Sequence, residues 1–168
     1  VAGATWTNEE SASGSLPIGR SMLATHSEFV DLGLRKPDGF ESVAEMGFGT
    51  TEFGDVFRPD DALREAIVPE VDVLGPVATV STCSGTDELA RFVRARLDGV
   101  AGGEAMEGAA VGLVAALSGP GVPFAEVRVI SNSTGNRDDQ VWDLPCAFES
   151  LERVAVRVVG AVAGAGLV

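Results

Sequence analysis

The sequence predicts an α/β fold, a single layered domain with a mixed, largely parallel sheet flanked by helices. Three observations predict it. Through the second half of the chain, short β-rich runs alternate with segments of helical apolar period, the pattern that packs helices against a sheet. Gly, Pro, Asn and Asp clusters separate these runs. A length of 168 residues with 45% hydrophobic content suffices for one sizeable core, which sets the domain count at one, over residues 16–168.

The elements follow in order. Residues 1–15, VAGATWTNEESASGS, carry neither hydrophobic period and predict a flexible polar arm without a strand. From Ile18 the text becomes strand-like through SMLATHSEFVDLGL and breaks at Pro37, Asp38 and Gly39, which carry turn chemistry. RPDDALREAIVPE reads as a short helix, with Pro59 and Asp60 at its start and Pro69 near its end. Val77–Ser81 is a β-rich run. It leads to a helix capped by Ser84 or Thr86, with Asp87 and Glu88 in the first turn and Gly99 after the last basic residue. EAMEGAAVGLVAALSG predicts a helix in which Gly108, Gly112 and Ala116 let another backbone approach one face. VPFAEVRVISNS is a strand, and Pro145 opens the final helix. That helix runs into VVGAVAGAGLV, a stretch without a polar side chain that reads as a buried helix end, with a subunit contact as the alternative.

Charge and cysteine content exclude several functions. Twelve basic residues against 25 acidic ones give a net charge of −13 with no basic run, which argues against a nucleic-acid partner. Cys83, Cys146 and the single His26 lack metal or redox spacing, so no metal site is expected. No apolar stretch is long enough for a membrane span and no signal segment leads the chain; a reducing cytoplasm fits these features.

Chemistry should collect in the loops at the carboxyl ends of the strands, here STCSGT and SNSTGNRDDQVW. By themselves these are ordinary caps and connections, and Glu107 is a carboxylate that a helix start favours in any protein. His26 lies in an apolar strand and reads as structural. Cys83 has no basic neighbour in sequence to make it a nucleophile. Glu126 and Arg128 share one strand face and read as an ion pair.

The combination is more specific. EAMEGAAVG followed by VPFAEVRVISNSTGNRDDQVW resembles the nucleosidase and nucleoside phosphorylase superfamily, whose members pair Met-Glu with a strand ending in Ile-Ser-Asp or Ile-Ser-Asn. Together with LPIGRSMLATHSEFVDLGLRKPDGFESVAEMGFGT and GPVATVSTCSGT, the chain looks most like that superfamily's futalosine hydrolases over most of residues 16–160. The resemblance implies a nucleoside phosphorylase-like fold and hydrolysis of the N-glycosidic bond of a 6-oxopurine nucleoside. The substrate it implies is futalosine, split to hypoxanthine and dehypoxanthine futalosine in menaquinone biosynthesis.

It also implies site residues. Glu107 would accept from the ribose 2′ and 3′ hydroxyls and stabilise positive charge on the sugar, with Met106 packed against the ring. Asn132 would hold the leaving base, and an amide suits a 6-oxopurine edge better than a 6-amino one. Ser81, Thr82, Cys83 and Ser84 would line the base pocket. Trp142 would close over the nucleoside, and Arg137 would meet the benzoate of futalosine.

Superfamily members carry, upstream, a further strand, glycine-rich loops and the carboxylate that activates water, and none of these is visible before Leu16. Glu9 and Glu10 are poor candidates for that base. The resemblance therefore leaves open a catalytically silent nucleoside-binding or assembly module, and a phosphorylase is disfavoured for want of an arginine-bearing phosphate cradle. It further implies a homo-oligomer, a dimer or larger.

Overall fold

The computed structural model describes residues 2–5 through their backbone, and 16–48, 54–98 and 100–167. Most of the predicted polar arm, residues 6–15 with Glu9 and Glu10, lies outside the described residues, as does Gly99.

Six strands form one mixed sheet: β1 (Ala2–Thr5), β2 (Ser21–Phe29), β5 (Val56–Phe57), β6 (Val73–Thr79), β7 (Gly103–Ala105) and β8 (Val127–Ser133). Their order is β5-β2-β6-β7-β1-β8, and β8 also pairs with β2, so the sheet returns on itself. The β2–β6, β6–β7 and β1–β8 pairings are parallel, while β1–β7, β2–β5 and β2–β8 are antiparallel. A separate hairpin, β3 (Gly33–Lys36) and β4 (Gly39–Ser42), turns at the predicted Pro37-Asp38.

Among the described residues, four α-helices flank the sheet: α1 (Asp61–Ile67), α2 (Asp87–Arg96), α3 (Gly108–Leu117) and α4 (Leu144–Gly164). Local chemistry sets their starts. The Asp60 carboxylate accepts from Ala62 and Leu63 N–H, the Thr86 hydroxyl from Leu89, and the Asp143 carboxylate from Cys146, each satisfying donors that a first helical turn leaves unpaired. Thr86, not Ser84, is the cap of α2.

Four expectations are corrected. Ala2–Thr5, expected within a strandless arm, form β1, because β7 and β8 are not neighbours and a strand between them satisfies the facing backbone groups of both. Glu104 and Ala105, expected in a helix, lie in β7, where Glu104 pairs with Ala78 of β6. On α3 the buried residues are Gly108, Ala109, Gly112 and Ala115, with Ala116 only half-buried. What they approach is side chain: a methyl at Gly108 would collide with the Glu126 carboxylate, and one at Gly112 with Phe57. The end of α4 is not buried all round: Val158, Val162 and Leu167 pack around Leu23, while Val156 and Val159 are 72% and 66% exposed.

The core is built where sheet and helices meet. Met22, Ala24, Val77, Ala105 and Ile130 join strands β2, β6, β7 and β8, and Val129, Ala147 and Val154 seat α4 on β8. These contacts fix the ends of β7 and β8 relative to each other. Among the described residues no helix is long and apolar enough to cross a membrane.

Candidate active site

A cavity of about 490 Å³ opens beside β7 and β8. Its walls come from the chain just past β6 (Cys83, Ser84), from β7 and its end (Glu104, Met106, Glu107), from the last residues of β8 (Ser131, Asn132), and from the loop and helix start beyond (Gln140, Trp142, Phe148). Glu107 and Asn132, 25 residues apart in sequence, thus face one space.

Glu107 is the residue that precedes α3, and its side chain makes no capping hydrogen bond. That duty falls to Thr79 of β6, whose hydroxyl accepts from Ala109 N–H at 2.8 Å. The Glu107 carboxylate is free to turn toward the cavity, where Arg128 Nη2 donates to its Oε2 at 3.0 Å. Arg128 is almost wholly buried and its Nε donates to Glu126, which also accepts from Ser27 Oγ. The predicted Glu126–Arg128 pair is present, and it extends to Glu107. A buried guanidinium shared between two carboxylates holds the outer one at a fixed depth.

Asn132 is 6% exposed. Its Oδ1 accepts from Ser131 Oγ at 2.7 Å and its Nδ2 donates to the Ser133 carbonyl at 2.8 Å, which sets the amide's orientation. Residues 141–143 return antiparallel to the end of β8, with Ser133 N–H on Val141 O and Asp143 N–H on Ser131 O, each at 3.0 Å. This places Trp142 opposite Asn132. The loop between is anchored elsewhere: Asn136 donates to the Asp87 carboxylate from both its backbone N–H and its side chain. Gln140 Nε2 donates to the carbonyls of Ser84 and Gly135.

Met106, Cys83, Ser84 and Trp142 line the cavity, while Ser81, Thr82 and Arg137 do not. Ser81 N–H is drawn to the Asp31 carboxylate at 2.7 Å, which turns the start of the loop away. Arg137 stacks over the Trp142 ring, 4.8 Å from its centroid, and donates to Gln140 Oε1 at 3.0 Å. Burial, with Glu104 and Glu107 nearby, pushes the Cys83 thiol above its ordinary range.

The residue most clearly missed from sequence is Glu104. It is 4% exposed, and its carboxylate accepts from Ser84 N–H and Ser84 Oγ, each at 2.6 Å. Burial raises its pKa from the ordinary value, opposed by the Ser84 hydrogen bonds and reinforced by Asp31. Gln140, Ser131, Thr134, Leu144 and Phe148 were likewise unassigned. Among the described residues no group of three or more His, Cys, Asp or Glu side chains is placed to hold a metal ion.

Comparison with known proteins shows the family and the fold. The phosphorylase superfamily profile matches residues 11–164. Futalosine hydrolase of Acidothermus cellulolyticus is 35% identical over 149 residues, covering 83% of this chain and 57% of that enzyme. The Streptomyces coelicolor futalosine hydrolase is 36% identical over 135 residues, covering 80% and 55%. The chain thus spans little more than half the length of these relatives. Among solved structures, the 5′-methylthioadenosine/S-adenosylhomocysteine nucleosidase of Neisseria meningitidis, in complex with methylthio-immucillin-A, superposes with a TM-score of 0.68 at 16% identity, covering 94% of this chain and 66% of that one. The Campylobacter jejuni nucleosidase gives 0.67 at 19%, covering 95% and 65%. Matched along nearly its whole length by that profile, and folded like these nucleosidases, the chain belongs to the phosphorylase superfamily.

Proposed function

We propose that the cavity binds a purine nucleoside and that the protein hydrolyses its N-glycosidic bond, with futalosine as substrate and hypoxanthine as the released base. The observation that carries this reading is that Glu107 and Asn132 line one cavity whose wall includes the apolar faces of Met106, Trp142 and Phe148. Such a wall suits a sugar and a flat ring.

In this reading Glu107 takes both ribose hydroxyls, since a carboxylate has two oxygens and Arg128 occupies only part of one. Positive charge develops on the sugar as the bond to the base breaks, and the fixed anion stabilises it. Asn132 hydrogen-bonds the departing ring. As an amide it cannot act as a general acid, so it aids departure by holding negative charge. Arg137, stacked on Trp142 with guanidinium donors to spare, would meet the benzoate carboxylate at the cavity's rim. Ser84 would line the base pocket with Cys83, while Ser81, its N–H taken by Asp31, and Thr82 would only lead the loop to it. Water is the nucleophile, and no cofactor enters.

The relatives' names support futalosine as substrate. We further infer a cytoplasmic role in menaquinone biosynthesis and a homo-oligomer, a dimer or larger; the exposed Val156 and Val159 on α4 favour self-association. Hypoxanthine release from futalosine, assayed with and without inorganic phosphate, tests the activity. Phosphate-independent release is expected. Release only with phosphate would make the protein a phosphorylase.

A second reading is a nucleoside-binding module without hydrolysis. It is favoured by the cavity's own carboxylates among the described residues, since Glu107 is held by Arg128 and Glu104 by Ser84. Nucleoside binding by calorimetry without base release would establish it.

A further inference from the structure

Glu104 has no task in the sugar chemistry just described, yet it is a buried carboxylate on the wall of the same cavity. Its place in the sheet is informative. Ala4 of β1 is the register partner of Glu104 on one side and of Asn132 on the other, so the two residues stand in one row across β1. Two strand spacings separate their backbones, roughly 9–10 Å. Both side chains line the cavity, which puts a carboxylate and an amide on either side of a gap that can take a flat ring.

The hydrogen bonding of Glu104 is half used. A carboxylate offers about four acceptor positions, and Ser84 fills one on each oxygen through its N–H and its hydroxyl. Those two bonds fix the group's orientation and leave acceptor capacity on both of its oxygens. A 6-oxopurine carries an N1–H donor next to its O6 acceptor, whereas a 6-aminopurine presents a bare N1 acceptor next to an amino donor. An acceptor-only group therefore distinguishes the two rings by one hydrogen atom.

We propose that Glu104 is a specificity residue of this protein, accepting the N1–H of a 6-oxopurine while Asn132 holds another part of the same ring. The assignment deepens the purine nucleoside reading and rests on it. Ser84 is then a positioning residue that acts through Glu104. Facing a 6-amino ring, the carboxylate meets a lone pair, and a buried group left unmatched discriminates strongly.

The test is calorimetric binding of hypoxanthine and adenine to the full chain, wild type and Glu104→Gln, with folding checked by circular dichroism. Wild type should prefer hypoxanthine, and the variant should lose about 10- to 100-fold of that preference, the range of a hydrogen bond to a charged group. A ratio left unchanged, or equal losses for both bases, would overturn the proposal. Should the variant fail to fold, 1-methylhypoxanthine decides on the unaltered protein. With its N1 hydrogen replaced by methyl it should bind at least about 10-fold more weakly than hypoxanthine, and equal binding would refute the assignment. If wild type binds neither hypoxanthine nor adenine, the purine reading itself falls and this assignment falls with it; binding without discrimination removes this assignment alone.

Discussion

Arg128 donates to Glu107 from the strand below, at 3.0 Å, while its Nε is engaged by the buried Glu126. One guanidinium thus ties a half-exposed carboxylate to a buried one. Arg128→Ala should leave Glu126 as a nearly uncompensated buried charge and destabilise the fold by about 3–5 kcal/mol. The Glu126→Gln, Arg128→Met double variant should recover most of that loss. Urea denaturation of the three proteins measures it, and a loss below 1 kcal/mol in the single variant would contradict the account.

Glu107→Gln should behave in the opposite way. Its side chain is 51% exposed, so stability should change by less than about 1 kcal/mol. Activity should fall about 10²- to 10³-fold in kcat, the scale of losing one electrostatic stabiliser at a developing charge. Steady-state kinetics with futalosine beside a thermal melt separates the two effects.

Asn132→Asp replaces a donor-acceptor pair by an acid while keeping the Ser131 hydroxyl as partner. Preference should move toward 6-amino nucleosides. Paired kinetics on a 6-oxo and a 6-amino nucleoside reads this out, and unaltered selectivity would count against Asn132 as a base-reading residue.

Gly108→Ala places a methyl group on the Glu126 carboxylate. The overpacking should cost about 1–3 kcal/mol, and because it pushes on the Glu126–Arg128 pair it should also lower activity. Gly160→Ala, where a methyl meets nothing within 4 Å, is the matched control and should be neutral or slightly stabilising in its helix.

Two carboxylates shift in opposite directions and should be separable by pH. Asp72 accepts from Ser21 N–H, Ser21 Oγ and Arg20, which hold its pKa below the ordinary value of 3.8. Its contribution to stability is therefore present above that value and lost as pH falls through the lower folded one. Asp72→Asn should flatten the acid limb of the stability curve. Glu104 is raised by burial and by Asp31, with Cys83 also facing it, so it takes up a proton at a higher pH than an ordinary glutamate. Protonation removes an acceptor, and preference for hypoxanthine over adenine should decline as pH falls through that raised value. Glu104→Gln should abolish the decline.

Much of the frame was legible before any coordinates. Asp60, Thr86 and Pro145 announced three helix starts, because capping is a contact between residues two or three apart and proline suits a first helical turn. The β8 strand announced itself by its run of Val and Ile. The Met106-Glu107 and Ser131-Asn132 pairs stood out by resemblance, and the structure brings both to one cavity wall.

Glu104 was hidden because EAMEG has good helix formers, and only pairing with Ala78 of β6 makes its backbone a strand. Ala2–Thr5 were hidden for the same reason: their local sequence favours nothing, and their conformation is supplied by partners more than a hundred residues away in β8. The turning of Ser81 toward Asp31 and of Arg137 onto Trp142 likewise depends on groups that no local spacing brings together.

The amino-acid order by itself determined the starts of α1, α2 and α4, the α/β class and the two short motifs that resemble the superfamily's, since each depends on neighbours along the chain. Which carboxylates face the cavity, and which cation grips them, was decided only by tertiary structure. Those outcomes turn on backbone pairing and charge burial between distant strands, where the free energy belongs to the contact and to neither segment alone.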